Sequence, residues 1–88
     1  MNEENFKEMS NKCDALCIKK NKDYGDSNII DLGPKGLFPR IYDKVQRLKT
    51  LLWDEKQRGV IEETVKDTAM DLRNYAQILV LLLEHKFK

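Results

Sequence analysis

Histidine is nearly missing from this chain: His85 is the only one in 88 residues. With Ser10 and Ser27 as the only serines, Ser/His/Asp nucleophilic chemistry has no second candidate base to draw on. Two cysteines, Cys13 and Cys17, with one distant histidine do not make a Cys/His zinc set. Four residues apart on a helix they share a face, and they read as two buried thiols in a reducing compartment. Lysine and arginine are poor general bases at pH 7 because their pKa values are high. Any chemistry is therefore expected to be metal-assisted hydrolysis. Also missing is an excess of charge: sixteen basic residues against fifteen acidic ones leave +1, which argues against direct nucleic-acid binding through a basic surface. No apolar leader follows Met1, and the longest nearly unbroken apolar stretch, Ala76 to Leu83, contains Gln77. That is well short of the roughly 20 residues needed to span a bilayer. The expectation is a cytoplasmic protein with no membrane partner.

Proline occurs only twice and glycine four times, and this scarcity makes their positions informative. Gly25, Gly33, Gly36 and Pro34 all fall within residues 21–36, so chain breaks are expected there and hardly elsewhere. The remainder is rich in both apolar and charged residues, as in a compact helical protein. At this length it is one domain, residues 1–88. Phe6, Met9, Cys13, Leu16 and Cys17 recur at spacings of three and four and predict a helix from about Glu3 to Lys20. Glu3 and Glu4 at its start and Lys19 and Lys20 at its end complement the helix dipole. Residues 21–36 are expected to be a long loop holding at most one helical turn, capped by Asp26 or Ser27. A second helix is expected from near Phe38, with Pro39 in its first turn and Ile41, Val45, Leu48 and Leu52 as its stripe, ending near Arg58-Gly59. A third runs from about Ile61 to His85, with Val65, Leu72, Tyr75, Leu79 and Leu83 on one face. From Ile78 to Leu83 that helix is apolar on every side. It must then be buried on every side, which one small three-helix domain does not easily provide. The expected architecture is an all-α three-helix domain assembled as a homo-oligomer, with Trp53 in its core or interface.

Two polar rows stand out. Arg40, Asp43, Lys44 and Arg47 fall within about a third of the circumference of helix two. Glu63, Asp67, Asp71 and Asn74 do the same on helix three. Carboxylates at i, i+4 and i+8 repel one another, so something is expected to compensate. One candidate is Mg²⁺ held by Glu63, Asp67 and Asp71, with phosphates and water completing the shell. The other is a ladder of ion pairs between the two rows, with no cofactor at all. Tyr24, in "NKDYGDSN", is a candidate to stack on a base.

Three blocks occur in order: "NKDYGDS" (21–27), "RIYDKVQRLKTL" (40–51) and "EETVKDTAMDLRNYA" (62–76). Together they resemble the nucleotide modification associated domain, type 1, a small helical family frequent in bacteriophages. The resemblance covers about residues 20–78. Its motif positions map onto Asp23, Tyr24, Gly25, Arg40, Asp43, Lys44, Arg47, Glu63, Asp67, Asp71 and Tyr75. It implies a setting in phage nucleotide metabolism or DNA base modification, in the host cytoplasm. The acidic helix is also similar to that of all-helical nucleoside triphosphate pyrophosphatases. It departs from their Glu-x-x-Glu pattern, because its spacing is Glu63-x-x-x-Asp67-x-x-x-Asp71.

Three functions follow as expectations. The first is a binding protein for a nucleotide or nucleotide-derived ligand, for instance one sequestering a nucleotide signal of host immunity. Arg40, Lys44 and Arg47 would then meet phosphate, Tyr24 the base, and Asp23, Asp43, Asp67 or Asp71 the base, the ribose or the arginines, with Gly25 and Tyr75 completing the site. The second is a Mg²⁺-dependent nucleotide pyrophosphohydrolase using Glu63, Asp67 and Asp71. The third is a non-catalytic oligomeric adaptor of an anti-defence or modification complex. Whether the chain is an enzyme stays open at this level.

Overall fold

The computed structural model describes residues 1–54 and 61–88, with side chains from residue 63 onward in the second span. It is helical wherever it has regular structure: α1 (Glu3–Tyr24), α2 (Ser27–Leu48), a π-helical turn at Lys49–Trp53, and α3 (Ile61–Leu83). Among the described residues there is no strand, and no helix is long and apolar enough to cross a membrane. The expected end of the second helix at Arg58-Gly59 lies outside the described residues.

Helix α1 starts where Asn2, in extended conformation, turns its side chain back so that Oδ1 accepts the Asn5 N–H at 2.9 Å. This satisfies one of the helix's otherwise unpaired donors. The helix outlasts the expected end at Lys20 and runs to Tyr24. Gly25 closes it at φ 77°, and its N–H donates to the Asn21 carbonyl at 2.7 Å. That left-handed backbone is cheap only for glycine.

The long loop expected over residues 21–36 is a two-residue corner. Helix resumes at Ser27, breaks at Gly33 (φ 64°, ψ −158°) and resumes with Pro34 in its first turn, where a missing N–H costs nothing. Gly33-Pro34 therefore kinks a helical segment. Folding Leu32 back across that kink brings its side chain against Gly36, where any Cβ would clash. Pro39 sits inside α2 instead of in its opening turn. Asp26 occupies the cap position of α2 without capping it; its carboxylate instead accepts the Asn21 amide at 2.6 Å.

Helix α3 is central: it packs against α2 most extensively and against α1. The core is small. Cys13 of α1, Leu37 of α2 and Ile78 of α3 are its buried apolar residues, with Leu37 at 2% exposure. Within the expected stripe of α2, Ile41 and Leu48 are half-buried while Val45 and Leu52 are exposed. Trp53 is 83% exposed, and Val80 and Leu83 also face outward. A single chain thus leaves its most apolar helix partly uncovered.

Candidate functional site

Where the end of α1, the Gly25 corner, α2 and the second half of α3 meet, they enclose a cavity of about 510 Å³, within the range of small-molecule sites. Helical periodicity selects its wall. On α3, Asp71, Asn74, Tyr75 and Ile78 follow one another at i, i+3, i+4 and i+7. On α1, Cys17, Lys20, Asn21 and Tyr24 repeat the same spacing. Helix α2 contributes Arg40 and Lys44, one turn apart, and Asn28 and Ile29 come from its first turn.

The charged groups form a junction of all three helices. Asp71 Oδ1 accepts from Lys20 Nζ at 2.8 Å, and its Oδ2 lies 3.2 Å from Lys44 Nζ. Burial works to raise the Asp71 pKa, but the hydrogen bonds from the two lysines outweigh it and hold the carboxyl below its ordinary range. The same hydrogen bond, against some desolvation, holds Lys20 above the usual lysine value. Arg40, half-buried in the same wall, has no ion pair or hydrogen bond among the described residues. The wall therefore carries three cations against one carboxylate. Two tyrosines give it aromatic faces: Tyr24, 84% exposed at the rim, and Tyr75, half-buried deeper in. Cys17 is half-buried there, and burial pushes its thiol pKa up, so it is a neutral part of the wall. Both cysteines are free thiols.

Of the residues singled out from sequence, the fold brings Tyr24, Gly25, Arg40, Lys44, Asp71 and Tyr75 together at the cavity. Asp23, Asp43, Arg47, Glu63 and Asp67 are exposed and lie outside its wall. Helix geometry explains the division. Arg47 points in nearly the same direction as Arg40 but is about 10 Å further along the axis, and Glu63 is about 12 Å from Asp71 along α3. Among the described residues no three His, Cys, Asp or Glu side chains converge as a metal ion requires. Both oxygens of Asp71 are engaged by lysines. Between the two polar rows, Lys44–Asp71 is the ion pair found among the described residues, so the expected ladder is reduced to one rung.

Sequence reasoning missed Lys20, which had been accounted for by the helix dipole. Its partner is 51 residues away, and no local spacing announces such a pair. The available signal was its place in the α1 stripe, three residues after Cys17 and four before Tyr24. Asn21 and Asn28 lie in the stretch expected to be a long loop, where no helical row marks them.

Three helices close on a cavity whose described wall carries three cations, one carboxylate and two tyrosines, in a small all-α domain. The chain belongs to the nucleotide modification associated domain 1 family, whose model matches residues 20–83. That span begins at Lys20 and includes every residue of the cavity wall named above except Cys17. No curated protein and no solved structure matches the chain.

Proposed function

We propose that this domain binds a nucleotide or nucleotide-derived molecule in the three-helix cavity. The observation that carries the reading is Arg40, a guanidinium in the cavity wall that has no carboxylate partner among the described residues, beside Lys44 and Lys20. A guanidinium's planar fork of donors suits phosphate, and the two ammonium groups add point charges. Tyr24 at the rim and Tyr75 within supply faces for a base. Asn21, Asn28 and Asn74 can read polar edges of base or ribose, because each amide both donates and accepts. Asp23, Asp43 and Arg47 enter this reading where a ligand extends beyond the rim.

The setting we propose is that of a phage-encoded protein acting in the host cytoplasm, in nucleotide metabolism, DNA modification or sequestration of a nucleotide signal. The family's name supports the nucleotide context. Assembly into a homo-oligomer belongs to the same reading and is supported by the uncovered Val80, Leu83 and Trp53.

Isothermal titration of the wild type and Arg40→Ala against mono-, di- and cyclic nucleotides tests the proposal. The expected outcome is binding of at least one class, weakened in the variant. No binding to any of them would sink it. Phosphate or pyrophosphate release that requires added Mg²⁺ would replace binding by hydrolysis, and would bring Asp71 forward as a group that carries a metal with the ligand's phosphates.

A further inference from the structure

Asp71 and Arg40 share a wall but stand in opposite states. Asp71 is the one carboxylate among the described wall residues, and both of its oxygens are taken by Lys20 and Lys44. Arg40 has no ion pair or hydrogen bond among the described residues. An anion entering the cavity meets one cation that is free and two that already hold an internal anion. Carboxylate and phosphate oxygens ask for the same N–H donors. A phosphate seated on Arg40 lies one helical turn, about 6 Å of rise, from Lys44 on the same helix. Asp71's side chain keeps 20% of its exposure, so water can solvate it when the lysines turn away.

Resting on the nucleotide reading above, we infer that Asp71 is an internal counter-anion which a nucleotide's phosphate displaces from Lys20 and Lys44. It thereby determines specificity. A ligand lacking phosphate has nothing to exchange for the carboxylate, so the cavity discriminates a nucleotide from its nucleoside. Without ligand the same carboxylate holds the two ammonium groups within reach of one anionic group, on helices 24 residues apart in sequence, and so preorganises them. This role is opposite in sign to that of a carboxylate accepting hydrogen bonds from base or ribose. Removing such an acceptor weakens binding, whereas removing a competitor strengthens it.

The test titrates wild type and Asp71→Asn at low salt with the 5′-monophosphates of adenosine, guanosine, cytidine and thymidine, and with the matching nucleosides. Monophosphate binding is expected to tighten about 3- to 10-fold in Asp71→Asn, the scale of one partly exposed charge pair, with nucleoside binding unchanged. Equal or weaker monophosphate binding in the variant overturns the inference while leaving the nucleotide reading standing. Absence of binding to either protein overturns both. If the variant does not fold, the Asp71 carboxyl carbon is followed by NMR through a pH titration of wild type with and without adenosine monophosphate. An upward move of its midpoint on nucleotide addition supports displacement, and an unmoved midpoint at saturation overturns it.

Discussion

Asp71 and Arg73 are two residues apart on α3, about 200° around the helix, and each ties α3 to α1. Arg73 Nη1 pairs with Asp14 at 2.8 Å and also donates to Asn74 Oδ1 at 2.9 Å, while Nη2 donates to Ser10 Oγ at 2.9 Å. Its guanidinium has a carboxylate of its own, and only Asn74 of this cluster reaches the cavity wall. On the other face, Asp71 joins Lys20 and Lys44 beside Arg40, and among the described residues the charges do not close: Arg40 has no carboxylate partner. Both clusters look alike as lists of polar contacts. The first has the composition of a structural clasp, and the second carries, among the described residues, a surplus of positive charge.

Exchange of roles between the two arginines would break that comparison. The largest effect is expected from Arg40→Ala. Its affinity for the best nucleotide should fall about 10- to 100-fold, the cost of a lost charged hydrogen bond, with the melting temperature unchanged; calorimetric titration and thermal melting check both halves. Arg73→Ala should act mainly on stability. It strips a donor from Asn74, which is 6% exposed, and should cost about 1–2 kcal/mol of stability. Each kcal/mol lowers the melting temperature of a domain this size by about 4–8 °C, while nucleotide affinity falls less than in Arg40→Ala, through the freed Asn74 alone.

A smaller effect sharpens the electrostatic side. Because Asp71 is depressed in the folded state, its contribution is fully present above the unfolded carboxylate value of about 3.9 and is lost as pH falls through the folded value. The melting temperatures of wild type and Asp71→Asn should therefore differ by a constant amount between about pH 5 and 8 and converge below about pH 4. Lys20, raised by the same contact, keeps its contribution throughout this window and loses it only above the ordinary lysine range. The smallest effects are expected at Glu63 and Asp67. Alanine at either exposed position should move stability by less than about 0.5 kcal/mol and leave affinity unchanged. A loss of affinity there, measured with Mg²⁺ present, would restore the acidic row as a metal site.

The same contrast explains what could be read in the sequence. The α1 stripe placed Cys13 inward because periodicity and burial are local partners, but Phe6 and Met9 of the same stripe are exposed, where α1 has no neighbour among the described residues to cover them. The three-helix composition followed from such stripes. Gly33-Pro34 misled, since a breaker signals a change of direction without saying whether helix resumes on both sides; here Ser27–Leu32 is helical and the real corner is Gly25-Asp26. In the site, Arg40, Lys44, Asp71 and Asn74 were legible as rows on two helices, and Tyr75 through the family resemblance. Which members of each row face the cavity was not, because that depends on the height at which the helices meet. Lys20 was invisible for the same reason: its role exists only once α1 and α3 are packed.

Amide chemical-shift mapping during titration with the best-binding nucleotide is the most direct measurement of the central claim. The expected result is a set of shifts confined to residues 17–29, 40–44 and 71–78, with Ser10 and Asp14 at the Arg73 clasp unmoved. Shifts centred on Ser10 and Asp14, or on Glu63 and Asp67, with the Arg40 and Lys44 signals still, would contradict it.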